Sequence, residues 1–415
     1  MSRVRSCKLL VVGAGSAGCA TAAMFGRLLP KHSVVLLDAA KEHYYQPMFT
    51  LIGGGLKNFK QCVRPMNEAV PKNVTWVQDS VESFHPDKDC VRTAQGDEIS
   101  YDFMVVAVGI RPNYDKIEGL KDALDCKGSG VCTIYSPVYV QKTFEELKVF
   151  KGGNMIFTQP STPIKCAGAP QKIMHLAEEH LRKCNIRDKA EISFITGLPV
   201  LFSVKKYEEA LKDLASQKSI HTVFEKDVKS INLGNKEVTV QSTKNTEEIS
   251  KYKFDFLHVV PPHQTPYALR GNKELADSDG YLTVNKYTLQ HDVFKNVFGI
   301  GDCANLPTSK TAAAIAAQTG VLYKNLKQVM EGNKSKLAEY DGYTSCPLVT
   351  GQRKCILAEF DYDRNPLETF PVDQGKERML FYWMKAHVLP PVYWSMMLRG
   401  YWHGPALLRK ILHLG

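Results

Sequence analysis

The stretch Lys8-Leu-Leu-Val-Val-Gly13-Ala-Gly15-Ser-Ala-Gly18 decides the fold of this chain. Its apolar start predicts a buried strand, and the small apolar residues of 19–29 that follow predict a helix. Residues 33–38 predict a second buried strand, which ends in an acid. This strand–helix–strand order is the context in which a Gly-x-Gly-x-x-Gly motif is typical of dinucleotide binding.

The three glycines and the acid each have a separate task in such a turn. Gly13 makes the tight turn, Gly15 lets a pyrophosphate approach the backbone, and Gly18 permits close packing of the helix on the strand. The helix N-terminus then faces the phosphates. Asp38 is positioned to accept a hydrogen bond from a ribose 2′-hydroxyl. A chance glycine turn is the alternative, but strand, helix and acid together favour a dinucleotide site.

Length and composition limit the classes of protein to consider. A chain of 415 residues predicts two or three domains. Its 44% hydrophobic and 23% charged residues exclude a disordered, fibrous or polytopic membrane protein. The net charge of +10 admits anionic partners, but no basic run interleaves with aromatic residues as nucleic-acid binding would require. We therefore expect no nucleic acid as a partner.

The cysteines and the N-terminus indicate the compartment only in part. The eleven cysteines form no zinc-type Cys-x-x-Cys spacing, and their odd number argues against a secreted disulfide framework. We expect no metal site, and we expect most of these thiols to be buried. The first seven residues carry no secretory signal, so the chain is either cytosolic or has lost a targeting segment.

Two later segments indicate which dinucleotide binds. Residues 99–112 predict a strand that ends at Gly109, and residues 296–305 predict another that closes on Gly301-Asp302. Both resemble the paired signatures of flavoproteins with two dinucleotide-binding domains. In that family the late Gly-Asp places its carboxylate on the ribityl chain. The resemblance therefore implies FAD, with Asp302 as its second anchor.

The corresponding stretch of the second domain lacks the glycines that hold a second nucleotide. Residues 154–158 predict a strand, residues 171–181 predict a helix, and the loop between them is rich in proline. Such a loop has few free N–H groups and is a poor pyrophosphate cradle. We therefore predict a degenerate second domain without nicotinamide binding, so that the flavin needs another reductant.

Two cysteines are candidates for that role. Cys166 lies in the proline-rich loop just before a helix, beside Lys165 and near Lys172, and both positive charge and a helix N-terminus lower a thiol pKa. A small buried residue in a turn is the alternative reading. Cys346 lies in the turn-rich polar stretch 340–351, which predicts a loop. Together they suggest a redox pair near the flavin ring.

At this point the chain resembles the sulfide:quinone oxidoreductase family, in its animal mitochondrial form, over essentially its whole length. The most specific stretches are residues 43–47, 163–174, 299–314, 340–351 and 394–402. The resemblance implies that Cys166 and Cys346 oxidise hydrogen sulfide and that FAD passes two electrons to ubiquinone. It also implies that Cys346 carries the sulfane sulfur to glutathione, sulfite or sulfide, on a peripheral protein of the mitochondrial inner membrane.

The same resemblance assigns further positions. Lys310 is expected near the flavin, although a solvated lysine at a helix start is the alternative. Cys132 loosely matches a third cysteine of bacterial members, and we interpret it as structural. The residues expected to bind FAD are Gly13, Gly15, Ser16, Gly18, Asp38, Val81, Gly109, Gly301, Asp302 and Lys310.

The C-terminal segment differs in composition from the rest of the chain. Residues 379–415 hold three of the four tryptophans and no acid, and Pro390-Pro391 predict a break into two segments, such as a helical hairpin. Aromatic residues and basic charge favour docking on an anionic bilayer. A third small domain or a homodimer interface is the alternative. The quinone pocket is expected between this segment and the flavin, at Pro47, Phe381, Tyr382 and Lys385.

The predicted fold class is α/β, with two Rossmann-like dinucleotide-binding domains and a C-terminal amphipathic membrane-docking segment. The FAD domain is discontinuous (1–135 and 275–335), the degenerate domain is 136–274, and the redox-cysteine and quinone segment is 336–415. One alternative function is a type-II NADH:quinone reductase, which would need the missing glycine motif. The other is a non-catalytic flavoprotein scaffold, which would tolerate loss of either cysteine.

Overall fold

The structure, a computed structural model, describes residues 4–412, in which strands and helices alternate along most of the chain. The strands are β1 Val4–Val12, β2 Val34–Leu37, β3 Glu42–Tyr44, β4 Val63–Pro65, β5 Thr75–Val77, β6 Val81–His85, β7 Cys90–Thr93, β8 Glu98–Val106, β9 Arg111–Pro112, β10 Val131–Cys132, β11 Gly153–Gln159, β12 Ala190–Thr196, β13 Ile220–Val223, β14 Lys226–Asn232, β15 Glu237–Ser242, β16 Ile249–Lys253, β17 Phe256–His258, β18 His263–Gln264, β19 Val297–Gly299, β20 Thr344–Gly351 and β21 Lys354–Phe360. The helices are α1 Ser16–Leu28, α2 Phe49–Gly53, α3 Met66–Ala69, α4 Leu120–Asp125, α5 Val140–Val149, α6 Ala169–Lys183, α7 Lys205–Gln217, α8 Tyr267–Arg270, α9 Ala312–Met330, α10 Met379–Trp383, α11 Leu389–Val392 and α12 Ala406–Leu412.

The first sheet has the strand order β5-β2-β1-β8-β7-β6, with β19 also paired to β8. The central strand β1 runs parallel to β2 and β8, and its apolar residues 9–12 are fully buried. Because both faces of such a strand are covered, it has a continuous apolar sequence rather than an alternating one. Helix α1 connects β1 to β2, which confirms the strand–helix–strand unit expected from the glycine stretch.

The second sheet is parallel and has the order β10-β17-β11-β12-β13. The expected strand and helix of this region are confirmed as β11 and α6, each slightly longer than predicted. A three-stranded antiparallel sheet, β14-β15-β16, adjoins it. Cys132 lies in β10 and is buried, and burial raises its pKa. The domain limits 135, 274 and 335 remain predictions.

Cys346 lies in a strand, so the prediction of a loop at this position is wrong. It belongs to β20, which pairs with β21 in an antiparallel hairpin and places Cys346 opposite Ala358. The sequence did not predict this strand because Pro347 and the polar residues 344–345 are typical of turns. Proline is tolerated here because a two-stranded hairpin has only edge strands, whose outer N–H groups need no partner in the sheet.

The predicted break at Pro390-Pro391 is also wrong. Residues 379–397 continue as helical turns, in which α10 and α11 alternate with π-helical turns at Met384–Val388 and Tyr393–Met397. The N–H of Leu389 bonds to the carbonyl of Met384, five residues back. Proline lacks an N–H, and the prolines occupy the first turn of α11, where that loss costs least. Within residues 4–412, no helix is long and apolar enough to cross a membrane.

Candidate active site

The glycine turn after β1 has the shape of a phosphate cradle. Gly13 has φ +101°, and a Cβ on it would lie 2.5 Å from the carbonyl oxygen of Ala107, so only glycine fits. A Cβ on Gly18 would collide with the Gly13 carbonyl at 1.7 Å. A Cβ on Gly15 would meet nothing within 4 Å, so this side of the turn is open where α1 begins. The turn can therefore admit a large anion at the helix N-terminus.

Asp38 secures this turn. Its carboxylate accepts hydrogen bonds from the N–H groups of Ala14 at 2.6 Å and Ala40 at 2.7 Å. Two charge-assisted bonds of this kind fix the backbone around the glycines. Contact of Asp38 with a ribose remains a prediction.

The Gly301-Asp302 segment follows β19, which belongs to the same sheet and pairs with β8, the strand next to β1. Gly301 follows β19 and donates its N–H to Gln318 Oε1 at 2.9 Å. Burial raises the pKa of Asp302, and the ammonium groups of Lys310 and Lys165 oppose that shift. Lys310 Nζ donates to the Ala304 carbonyl at 3.1 Å, and burial lowers its pKa. Gly109, at the end of the adjacent strand, has φ +65°. A half-buried carboxylate and a half-buried ammonium therefore lie close together beside this strand end.

The two candidate cysteines meet in space although they are 180 residues apart. Cys166 Sγ lies 3.3 Å from Cys346 Sγ. The Cys166 N–H donates to the Lys310 carbonyl at 2.8 Å, which ties the cysteine loop to the Gly-Asp end. Cys166 has φ +50°, a left-handed conformation that costs a non-glycine residue on the order of 1 kcal/mol or more. Such strain is typical of functional positions.

A buried lysine lies between the two sulfurs. Lys172 on α6 is 3% exposed, and its Nζ lies 3.1 Å from Cys166 Sγ and 3.5 Å from Cys346 Sγ. The pKa of Cys166 is held well below its ordinary value by the hydrogen bond with Cys346 and by the Lys172 charge. The pKa of Cys346 is raised by the same sulfur contact and by burial. The closer contact of Lys172 with Cys166 than with Cys346 favours Cys166 as the thiolate of the pair.

The predicted quinone residues do not all come together. Lys385 is 5% exposed and donates to the Pro47 carbonyl at 3.1 Å, so these two are adjacent. Burial and repulsion from Lys172 lower the pKa of Lys385 to about 8. Phe381 lies in a small apolar cluster against Phe370 instead. The fourth predicted quinone residue, Tyr382, is half-buried and packs against the same cluster as Phe381. Val81, which was predicted to bind FAD, is half-buried in the edge strand β6.

Sequence reasoning missed a contact between the glycine turn and the C-terminal segment. Tyr393 OH lies 2.8 Å from Ser16 Oγ and 2.6 Å from His43 Nε2, and His43 Nδ1 lies 3.0 Å from the Ala14 carbonyl. A carbonyl only accepts, so Nδ1 carries the proton and Nε2 accepts from Tyr393. Burial lowers the pKa of His43 to about 4, which keeps the ring neutral. The only sequence signal was that His43 begins one of the quoted stretches and that Tyr393 directly precedes another.

The comparisons with known proteins agree with this geometry. The family described as pyridine nucleotide-disulphide oxidoreductase matches residues 7–320. The mitochondrial sulfide:quinone oxidoreductase of Mus musculus is 45% identical over 98% of this chain and 90% of its own length. That of Dictyostelium discoideum is 40% identical over 96% and 87%. The structure of the sulfide:quinone oxidoreductase of Aquifex aeolicus has a TM-score of 0.82 at 21% identity over 99% and 95%, which shows the same fold.

FAD is the cofactor of these flavoproteins, and the residues of this chain fit it. The glycine turn is open where a pyrophosphate would lie, and the half-buried carboxylate of Asp302 lies beside the second strand end. Both the family match and the high identity extend over most of the chain. The chain therefore belongs to the pyridine nucleotide-disulphide oxidoreductase family and, within it, to the mitochondrial sulfide:quinone oxidoreductases.

Proposed function

We propose that this chain oxidises hydrogen sulfide at Cys166 and Cys346 and delivers the electron pair through FAD to ubiquinone. The observation that carries the proposal is the 3.3 Å approach of the two sulfurs, with Lys172 in contact with both. Two cysteines placed this close, one of them a thiolate, can alternate between a bonded and an open state with little movement.

The electrostatics of the pair give the first step a direction. With the cysteines bonded, hydrosulfide attacks the sulfur of Cys346, the Cys166–Cys346 bond breaks, and Cys166 leaves as the thiolate. A thiol with a low pKa is the better leaving group. Because Lys172 and the sulfur contact lower the pKa of Cys166, the persulfide forms on Cys346.

The second half of the cycle restores the pair. An acceptor nucleophile bonds to the outer sulfur of the Cys346 persulfide and releases the Cys346 thiolate. Bond formation between the two cysteine thiolates then gives up two electrons. FAD, when bound, would supply the two-electron acceptor for this bond formation and the route to the quinone. In sum, hydrogen sulfide, a thiol and a quinone become a persulfide and a quinol. Glutathione, sulfite and sulfide itself are the candidate acceptors.

Neither alternative function accounts for the loop that leads from β11 to Cys166. A type-II NADH:quinone reductase needs a second phosphate cradle, whereas the segment after β11 carries Pro160 and Pro163 and none of the required glycines before Cys166. A scaffold protein has no use for a buried ammonium between two sulfurs, which is costly to desolvate unless it is paired.

We further propose that the C-terminal segment lies on the mitochondrial inner membrane, where the quinone is dissolved. One side of the segment packs on the protein through Tyr393 and Trp394, and the outward side exposes apolar side chains next to basic ones. These exposed residues are Met379, Leu380, Trp383, Tyr401, Leu407, Ile411 and Lys410. Lys385 of this segment bonds to the Pro47 carbonyl and lies close enough to the cysteine pair to interact with its charge. This position is suited to the binding of a quinone that enters from the membrane. A homodimer through the same face is the competing outcome.

Anaerobic titration of the purified flavoprotein tests the function directly. We expect sulfide to bleach the flavin absorbance or produce a long-wavelength charge-transfer band, and NADH to produce neither. Prompt bleaching of the flavin absorbance by NADH, with no response to sulfide, would instead show a quinone reductase whose electron donor is NADH. Cosedimentation with vesicles of anionic lipid, compared with the oligomeric state in solution, separates membrane docking from a homodimer.

A further inference from the structure

Gly168 lies where the N-terminus of α6 meets the strand that carries Cys346. It directly precedes α6, and Cys166 lies two residues before it. A Cβ on Gly168 would lie 2.7 Å from Cys346 Sγ and 2.4 Å from Leu348 Cδ2. Residues 346 and 348 are two apart in β20, so their side chains lie on the same face of this strand. This face of β20 approaches the start of α6 so closely that a methyl group does not fit at Gly168.

The backbone of Gly168 does not itself require glycine. Its φ is −82° and its ψ is −7°, a right-handed conformation that other residues adopt without strain. Gly168 is also the N-cap of α6, a position where serine, threonine, aspartate and asparagine are preferred because their side chains bond to the first free N–H groups. Local conformation therefore favours a capping side chain here, and the close approach of β20 is the reason for glycine.

Of the two atoms that a Cβ would meet, the sulfur has less freedom to move. Leu348 Cδ2 is the end of a longer side chain, and rotation about χ2 can shift it. Cys346 is 2% exposed, and its Sγ lies 3.3 Å from Cys166 Sγ and 3.5 Å from Lys172 Nζ. Because ordinary nonbonded contacts are about 3.5 Å or longer, a Cβ at Gly168 would displace this sulfur by roughly 1 Å.

Such a displacement is large on the scale of the bond that the two cysteines must form. From 3.3 Å, the sulfurs have to approach by about 1.3 Å to reach the disulfide length of about 2.0 Å. Cys166 has little freedom to follow a displaced partner. Its N–H donates to the Lys310 carbonyl at 2.8 Å. Its carbonyl accepts from the Ala169 N–H at 2.8 Å and from the Tyr135 hydroxyl at 3.3 Å.

We propose that Gly168 is a positioning residue for the cysteine pair, which lets Cys346 lie against the start of α6 within bonding reach of Cys166. The inference rests on the proposed function and adds to it a residue outside the pair that determines whether the pair can close. An alanine at this position would leave both thiols in place but would hold the Cys346 sulfur away from its bonding position.

Gly54→Ala is a matched control for Gly168→Ala. Gly54 has nearly the same backbone conformation, with φ −87° and ψ 4°. A Cβ on Gly54 would lie 2.7 Å from Leu176 Cδ1, which belongs to the same helix α6. The two substitutions therefore crowd α6 at the same distance, but one contacts a leucine methyl group and the other contacts the Cys346 sulfur.

The disulfide equilibrium tests the proposal without sulfide or quinone. The FAD-loaded full chain is equilibrated without oxygen in mixtures of oxidised and reduced dithiothreitol, where the oxidised form takes up the two protons and the electron pair of the two thiols. Thiol alkylation and peptide mass give the fraction of Cys166–Cys346 disulfide. We expect its equilibrium constant to fall about tenfold or more in Gly168→Ala and to stay within about twofold in Gly54→Ala. No fall in Gly168→Ala, or an equal fall in both variants, would overturn the proposal.

A double-mutant cycle separates the sulfur contact from general damage to the fold. With all cysteines reduced, Gly168→Ala should lower the urea midpoint of unfolding less in the Cys346→Ala background than in the unmodified protein, because the sulfur is gone. An equal loss in both backgrounds would place the conflict at Leu348 and overturn the proposal. If sulfide fails to reduce the flavin of the unmodified protein, the proposed function fails, whereas both measurements on Gly168 still give a result.

Discussion

The first sheet, which is mixed, and the second, which is parallel, present the same position, the loop after an inner parallel strand, with opposite chemistry. After β1 the chain turns through Gly13 and Gly15, whose backbone leaves an open side for an anion. After β11 it passes through Pro160 and Pro163 to Cys166, beside the buried cation Lys172. A loop without the N–H donors of a phosphate cradle can therefore still form a site at this position. Side chains with a different chemistry occupy it.

We expect the largest effect from removing the sulfur of Cys166, in the loop between β11 and α6. In Cys166→Ser we expect sulfide to reduce the flavin roughly a thousandfold more slowly or not at all, because a serine cannot form the bond that sulfide cleaves. Anaerobic stopped-flow measurement of flavin absorbance checks this. Cys126→Ser, which changes an exposed cysteine, is the control. Unchanged reduction in Cys166→Ser would show that the two loops do not differ in redox function.

Two substitutions in the glycine turn after β1 distinguish the role of this turn in folding from its role in FAD binding. Gly13→Ala places a Cβ 2.5 Å from the Ala107 carbonyl at φ +101°, so we expect loss of FAD and a lower free energy of unfolding by about 2 kcal/mol or more. Gly15→Ala places its Cβ in open space, so we expect weaker FAD binding with unfolding of the FAD-free protein within about 0.5 kcal/mol of the original. Urea unfolding with and without FAD distinguishes them. Equal destabilisation of the FAD-free protein by both would contradict an open cradle at Gly15.

Lys172 should act through the protonation state of Cys166. In Lys172→Met the pKa of Cys166 rises, because the cation that stabilises its thiolate is gone. Below its pKa a thiol loses a factor of ten in thiolate for each unit, so the fast sulfide-dependent phase should fall by about ten- to a hundredfold near pH 7. The loss should shrink as the pH rises toward the new pKa. Lys183→Met, an exposed lysine at the end of α6, is the control. A loss equal at every pH would indicate a packing defect instead.

The sequence predicts what is encoded within short segments. The β1–α1–β2 unit follows from about 30 contiguous residues, because apolar periodicity and a glycine turn are local properties. The missing nicotinamide site and the turn-rich segments suggested Cys166 and Cys346 as a redox pair, and the family resemblance then assigned it, since no local pattern relates residues 180 apart. The strand at Cys346 and the helical passage through Pro390 were missed because each depends on tertiary context. The hairpin partner β21 makes the first possible, and π-helical turns make the second possible.

The contact of Tyr393 with Ser16 and His43 also joins residues that are distant in the sequence. It provides a further test of how the glycine turn after β1 differs from the cysteine loop after β11. Tyr393 of the C-terminal segment bonds directly to the start of α1 after the glycine turn, so we expect membrane docking and FAD retention to share this contact.

Tyr393→Phe removes the hydroxyl that bonds Ser16 and His43 and leaves the buried His43 Nε2 without a donor. We expect FAD to bind about three- to tenfold more weakly, which corresponds to one lost buried hydrogen bond. Tyr401→Phe, in the same segment but exposed, is the matched control. Equilibrium dialysis of FAD measures both. In the double variant with Ser16→Ala the two effects should be less than additive, because both substitutions break the same bond. Full additivity would mean that Tyr393 supports the segment without acting on the glycine turn.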